Sequence, residues 1–247
     1  MNRLNRTAGS IPEKLHFPSL NNLCNMEIGH EGNGVPNMPK KIDPGYYFVG
    51  NHAVLDYINT KIAHDGQPLD LFKEISDVLD WLVLAGLHSK ETVEEYAQRW
   101  KGSEEWDQVA GAAIDLRNTL ASMIDKTSSG HSVSDKELGA INQLLEKRVM
   151  TTTLLQTENG FTEENKLVIV KPTDILSPIA ESAIDFFSHY NLQLVKKCEN
   201  PSCTLRFYDN SKNSTRRWCS QKTCGNRMKV AAFLERKKRI KESWTES

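Results

Sequence analysis

The chain has 247 residues, 38% of them apolar and 26% charged, with a net charge of -1. That is the composition of a globular protein of one large or two smaller domains, not of a disordered or membrane-spanning chain. The opening, MNRLNRTAGSIPEKLHF, has no apolar core of the kind a secretory signal carries, so a cytoplasmic protein is expected. The near-zero charge hides a division. Residues 198–247 hold 12 Lys plus Arg against 5 Asp plus Glu, and the rest holds 19 against 27. A basic tail on an acidic body suggests a polyanionic partner for the tail; the alternative is that the two halves neutralise one another within the fold.

Residues 1–44 lack hydrophobic periodicity and read as an irregular arm holding Cys24, which has no partner by sequence. The first ordered piece is YYFVGNHAVLDYINT, residues 46–60. Val54, Leu55, Tyr57 and Ile58 suit a buried helix face. Asn51, His52, Asp56 and Asn59 bring polar groups into the same segment, with Asp56 and Asn59 on one face of a helix. These four are the candidates for a small-ligand pocket that senses a signal. The competing reading, which is preferred, is capping and internal hydrogen bonding, because buried polar groups need partners. His52 has no second His or Cys at ligand spacing.

Helices follow. SDVLDWLVLAGL predicts a buried helix ending at Gly86. Ser89 opens an acidic one, KETVEEYAQRW. Glu104 to Lys126 reads as one long helix with Val109, Ala113, Leu116, Leu120 and Met123 at helical spacing. On such a stripe Arg117 is expected to bridge to a carboxylate. Ser134 and Glu137 form a capping box, predicting a helix from Asp135 to about Lys147. The period then changes. TTTLLQT (151–157) and KLVIVK (166–171), with Asn159-Gly160 between them, predict a hairpin with a loop. Thr173 and Asp174, or Ser177 with Pro178, open a helix through Phe187. The short run from there to Cys198 predicts a finger packed on the body.

Four of the five cysteines fall in the last fifty residues, as C-x4-C, fifteen residues, then C-x4-C. Two knuckles that each present two thiolates suit a structural zinc ion held by Cys198, Cys203, Cys219 and Cys224, with no open coordination position. Two disulfides are the weaker reading for a reducing compartment. Binding the metal supplies the free energy that a module this small lacks, and fixes the start of the helix after Cys224. Val230, Ala231, Phe233 and Leu234 are expected to pack that helix on the module or the body. Arg236, Lys237, Lys238, Arg239 and Lys241 extend it as a cationic rod.

The string RRWCSQKTCGNRMK, with CENPSC and RFYDNSKNSTRRWCS upstream, resembles the signature of the CGNR zinc-finger family. The Gly-His pair, Asp and Asn-Thr pair of residues 50–60 resemble the start of the ABATE domain, which precedes that finger in its family. The resemblance covers about Phe48 to Lys241. It implies a stress-induced transcriptional regulator, with Arg216, Arg217, Trp218, Asn226, Arg227 and Lys229 as signature positions. The signature does not assign DNA contacts; from the residues themselves, Asn226 and Arg227 in the first turn of the basic helix are the expected base readers. Arg216, Arg217, Lys229, Arg236, Lys237 and Lys238 are expected to contact the phosphates of duplex DNA. Trp218 belongs to the finger core. Asp209 orients Arg216 or Arg217, or holds the knuckle backbone. Specific binding would require a homodimer, formed through the helical body.

The expected fold is mainly α (α+β). A multi-helix domain with a small β-hairpin (45–195) is followed by a treble-clef-like, four-cysteine zinc finger ending in a basic helix (196–247). The runner-up function is a zinc-stapled module that binds protein or RNA. An enzyme built around His52, Asp56 and Asn59 is disfavoured: the chain has no phosphate-binding glycine loop, no serine elbow and no carboxylate pair set apart.

Overall fold

The computed structural model describes residues 45–64, 67–146 and 149–245, all within one compact unit. The arm expected over residues 1–44, with Cys24, lies outside the described residues. The body is built on a short central helix, α1 (Ala53–Ile58), in which Val54, Leu55, Tyr57 and Ile58 are all buried. α1 packs against α5 (Val109–Ser128) and α7 (Ser177–His189). Tyr57 ties it to α5 by donating its hydroxyl to the Ala113 carbonyl at 2.8 Å. α2 (Ile75–Leu84), α3 (Lys90–Arg99) and α6 (Asp135–Leu145) complete the bundle. Trp81, Leu82, Leu120, Ile179 and Phe186 are sealed in its core.

Local signals behaved as chain chemistry requires. Gly86 takes φ 69° after α2, a conformation that costs glycine little. Ser89 caps α3, and Ser134 with Glu137 forms a complete capping box on α6. Arg117 is buried and donates to Thr60 Oγ1 at 3.0 Å and to both carboxylate oxygens of Asp70, the bridge anticipated for it.

Three expectations needed correction. The helix foreseen from Glu104 to Lys126 is two, α4 (Glu104–Asp107) and α5, joined at Gln108. Ser103 caps α4, and Trp106 turns into the core to stack on Trp100 at 5.8 Å. The pull of that burial outweighs helical continuity. The hairpin is longer and tighter than foreseen: β3 (Val149–Thr157) pairs with β4 (Gly160–Val168) across a two-residue turn. FTEEN, between the two foreseen strands, is strand because every residue finds a cross-strand partner, while residues 169–171 fall outside β4. A second hairpin, β1 (Lys61–His64) with β2 (Gln67–Asp70), was not anticipated. Its signal was present in Asp65-Gly66, a favoured hairpin dipeptide.

Beyond α7, β5 (Val195–Lys197) and β6 (Arg206–Tyr208) pair antiparallel and carry the first cysteine knuckle between them. A wide π-type turn, Gln221–Gly225, supplies Cys224 of the second knuckle and runs into α8 (Asn226–Thr245). No helix among the described residues is long and apolar enough to cross a membrane.

Candidate metal centre and the surface it carries

The sulfur atoms of Cys198, Cys203, Cys219 and Cys224 lie within 4.8 Å of one another, and three of the four residues are buried. Cys203 to Cys219 is 3.8 Å and Cys219 to Cys224 is 3.6 Å. Both distances far exceed a disulfide bond of about 2.05 Å. Four sulfurs on a tetrahedron about 2.3 Å from a central zinc would be about 3.8 Å apart, so the donor set fits that ion in size, number and softness. No position is left over for substrate. A zinc ion bound here would link the two knuckles and set the start of α8.

The surrounding groups suit a cluster of thiolates. Asn200, buried, donates from Nδ2 to Cys224 Sγ at 3.3 Å. Its Oδ1 accepts the Ser202 N–H and its carbonyl accepts the Cys203 N–H, which closes the first knuckle. Asn200 therefore shapes the turn and polarises a ligand at once. Tyr47 and Ile62 of the body join Leu205, Phe207 and the cysteines in one apolar cluster, with Trp218 packed at its edge. That agrees with the core role expected for Trp218.

Arg216 has a different job from the phosphate contact expected of it. Its guanidinium donates inward to the carbonyls of Val49 (2.9 Å), Trp218 (3.0 Å) and Cys219 (2.5 Å). It also covers the Phe207 ring at 4.1 Å. Here it places a positive charge behind the thiolates and ties the finger to the body. Asp209 is buried, and its carboxylate accepts from Lys196 Nζ (2.6 Å), the Arg216 N–H (2.9 Å) and Ser211. It holds the backbone of the loop before Cys219. These donors keep its carboxyl at about 2, below the ordinary value, against the opposing effect of burial.

The polar segment of residues 51–59 follows the preferred reading of capping and internal hydrogen bonding, and its bonds form the joint between body and finger. Asn59 brackets β6: its Oδ1 accepts the Arg206 N–H at 2.8 Å and its Nδ2 donates to the Arg206 carbonyl at 2.9 Å. Asn51, at φ 61°, donates to the Tyr208 carbonyl and to Asn210 Oδ1, both at 3.0 Å. The Tyr208 N–H reaches the Gly50 carbonyl at 2.8 Å, and Arg206 grips both oxygens of Asp125 on α5. A side chain at Gly50 would collide with Leu55 and Asp56, so the glycine is a packing requirement. Asp56 is buried, accepts the Gly50 N–H at 2.7 Å, and is pushed up to about 7 by burial. His52 caps α1 by accepting the Val54 N–H, and its ring lies 4.5 Å from that of Phe186. Burial holds its imidazole below the ordinary value, with Asp185 at 3.6 Å opposing. Each of the four residues is engaged in these contacts, and neither described cavity is lined by any of them.

The other predicted residues lie at the surface. Arg217 is exposed, pairs with Glu199 at 2.6 Å and covers Trp218 at 4.9 Å. With Thr215, Arg216, Trp218 and Gln221 it lines an open cleft of about 300 Å³. Asn226 is exposed and bonds back to the Lys222 carbonyl. Arg227 is half-buried beside Cys203 and Cys224. Lys229, Arg236, Lys237 and Lys238 lie on the exposed length of α8. The apolar face expected to pack α8 down is not packed: Val230, Phe233 and Leu234 are all more than half exposed, and Ala231 is exposed with them. Twenty residues of helix span about 30 Å, longer than the small module beneath can cover.

No curated protein matches the sequence. Two family models do. Residues 195–237 match the CGNR zinc finger. Residues 51–190, more than half of the chain, match ABATE, a family described as "Putative stress-induced transcription regulator". The chain thus belongs to the ABATE family and carries a CGNR zinc finger after its helical domain.

Proposed function

We propose that the protein is a zinc-dependent, DNA-binding transcriptional regulator of the cytoplasm, with the finger as its DNA-contacting part. The observation that carries this reading is α8. It leaves the cysteine cluster as an exposed helix bearing Lys229, Arg236, Lys237, Lys238 and Lys241. An α-helix fits the major groove, and such side chains neutralise phosphates. Arg217, on the open cleft beside the start of the π-type turn, adds a further cation. Asn226 and Arg227 in the first turn of α8 are the base-reading candidates. Arg216 is withdrawn from the phosphate contacts and acts by holding the finger on the body. The role is non-enzymatic: His52, Asp56 and Asn59 serve the cap and the joint.

Fluorescence anisotropy of the zinc-loaded protein on duplex DNA tests this. The logarithm of affinity should fall linearly with that of salt, by about 0.9 for each phosphate neutralised. No affinity, or affinity without a salt slope, removes the DNA assignment.

A second reading rests on the exposed apolar residues of α8. Val230, Phe233, Leu234 and Ile240 suit a partner protein with an acidic, apolar groove better than they suit DNA. Leu234→Ser and Lys237→Ala separate the two. Loss of DNA affinity in the lysine variant alone supports the regulator. DNA affinity unchanged in both supports the protein partner.

A further inference from the structure

β3 and β4 form a two-stranded sheet on their own, and all nine residues of β3 are exposed. An isolated two-stranded hairpin is marginal in water and gains stability from a further strand or a packed face. Its two edges are chemically unlike. β4 carries Glu163 and Glu164, charges of the kind that keep an edge strand from pairing. β3 reads VMTTTLLQT, with no charge and no proline.

The two-residue turn makes Thr157 and Gly160 a hydrogen-bonded pair. Counting back, Leu155 and Thr153 also turn their backbone groups to β4. Gln156, Leu154 and Thr152 turn theirs to the outer edge. Leu154 lies opposite Glu163, and Gln156 opposite Phe161, so Leu154 and Phe161 are diagonal neighbours on one face. They are 73% and 71% exposed, the largest values among the hairpin's apolar side chains.

The geometry points to a homodimer in which β3 pairs antiparallel with β3 of a second copy, about a two-fold axis at Leu154. In that register Leu154 faces its own copy, and Thr152 faces Gln156 of the other chain. The backbone groups that meet are those turned outward. Because the pairing keeps residue parity, like faces continue across the axis. The two Leu154 side chains then join the two Phe161 rings in one apolar stripe across four strands. No charge falls between the paired β3 strands. Pairing through β4 in the corresponding register, about an axis at the residue opposite Leu154, would set Glu163 against Glu163. The same patch serves both copies, as a two-fold interface requires. This deepens the proposed function by naming the surface that gives two fingers to one DNA site, yet it is read without DNA.

The test is the mass of the full-length, zinc-loaded protein by light scattering over a range of concentrations. The expected result is a species of twice the 28.0 kDa chain mass. Leu154→Lys should convert it to monomer, by setting two like charges face to face. Leu154→Pro should do the same, since it removes an outward N–H and spares the ladder to β4. In the wild type, the outward amides of Thr152, Leu154 and Gln156 should be protected from hydrogen exchange. A wild-type monomer, a dimer that survives both substitutions, or free exchange at those three amides overturns the interface. None of these results bears on whether the finger binds DNA.

Discussion

Trp81 and Cys219 are both shut away from water, for different reasons. Trp81 sits among Tyr57, Phe72 and Phe48 in a core where helices bury apolar stripes on one another. That core follows from pattern and volume and needs no other component. Cys219 sits in a module whose strands have three residues each and whose long helix is exposed. Such a module cannot bury enough surface to order itself. It is held by the four sulfurs, by the Arg216 guanidinium and by polar bonds from Asn51 and Asn59 to β6. The contrast teaches that the body folds by area, whereas the finger, with the proposed zinc on its four sulfurs, folds by coordination and docking. The two regions should therefore fail under different insults.

The largest effect should come from the metal. Cys219→Ser, or removal of zinc by a chelator, forfeits binding energy of about 10 kcal/mol in small zinc peptides. Elemental analysis should then show no bound metal and hydrogen exchange should rise across β5, β6 and the start of α8. The helices around Trp81 should keep their protection. Collapse of both regions together would mean that body and finger fold as one unit.

Next is Asp56, on the body side of the joint. Its carboxyl is raised from 3.8 to about 7 by burial, against the favourable hydrogen bond from Gly50 and the charge of Arg216. A raised value means that the stability contributed by Asp56 is complete below about pH 4. It is lost as the pH climbs through about 7. At 1.36 kcal/mol per unit the loss approaches about 4 kcal/mol. Asp56→Asn should remove that slope, measured as the difference in unfolding free energy between variant and wild type from pH 4 to 8. Parallel curves would show that the carboxyl titrates normally.

Asn59→Ala should cost about 2 kcal/mol, because both Arg206 backbone groups lose a partner in a part-buried joint. Urea unfolding would measure it, with faster exchange at β6 as its signature. A loss confined to α1 would assign Asn59 to the body alone. Lys237→Ala sits at the small end for stability, within about 0.5 kcal/mol for an exposed side chain. Its effect should appear on DNA, as a salt slope reduced by about one.

Features set within a few residues were legible in the chain. The capping box of Ser134 and Glu137, the stop at Gly86 and the buried face of α1 depend on neighbours three or four positions away. The cysteine set was legible because spacing alone brings each pair onto one knuckle. Other features required partners far along the chain. Asn59 and Arg206 are 147 residues apart, and Arg216 meets Val49 across 167. No local pattern marks such pairs, so the sequence pointed to internal hydrogen bonding for Asn59 without naming its partner, and Arg216 looked like a phosphate contact. α4 and α5 parted at Gln108 because Trp106 found the Trp100 ring, a packing event that helical periodicity alone does not signal.

By itself the sequence determined the helical body, the four thiolate donors and the cationic helix that follows them, because short-range periodicity and spacing encode each. Tertiary structure alone decided which of the polar and basic groups face inward. Turning Arg216 inward and burying Asn59 is favourable only where carbonyls and amides of a distant segment arrive to satisfy them, and only the assembled chain supplies those groups.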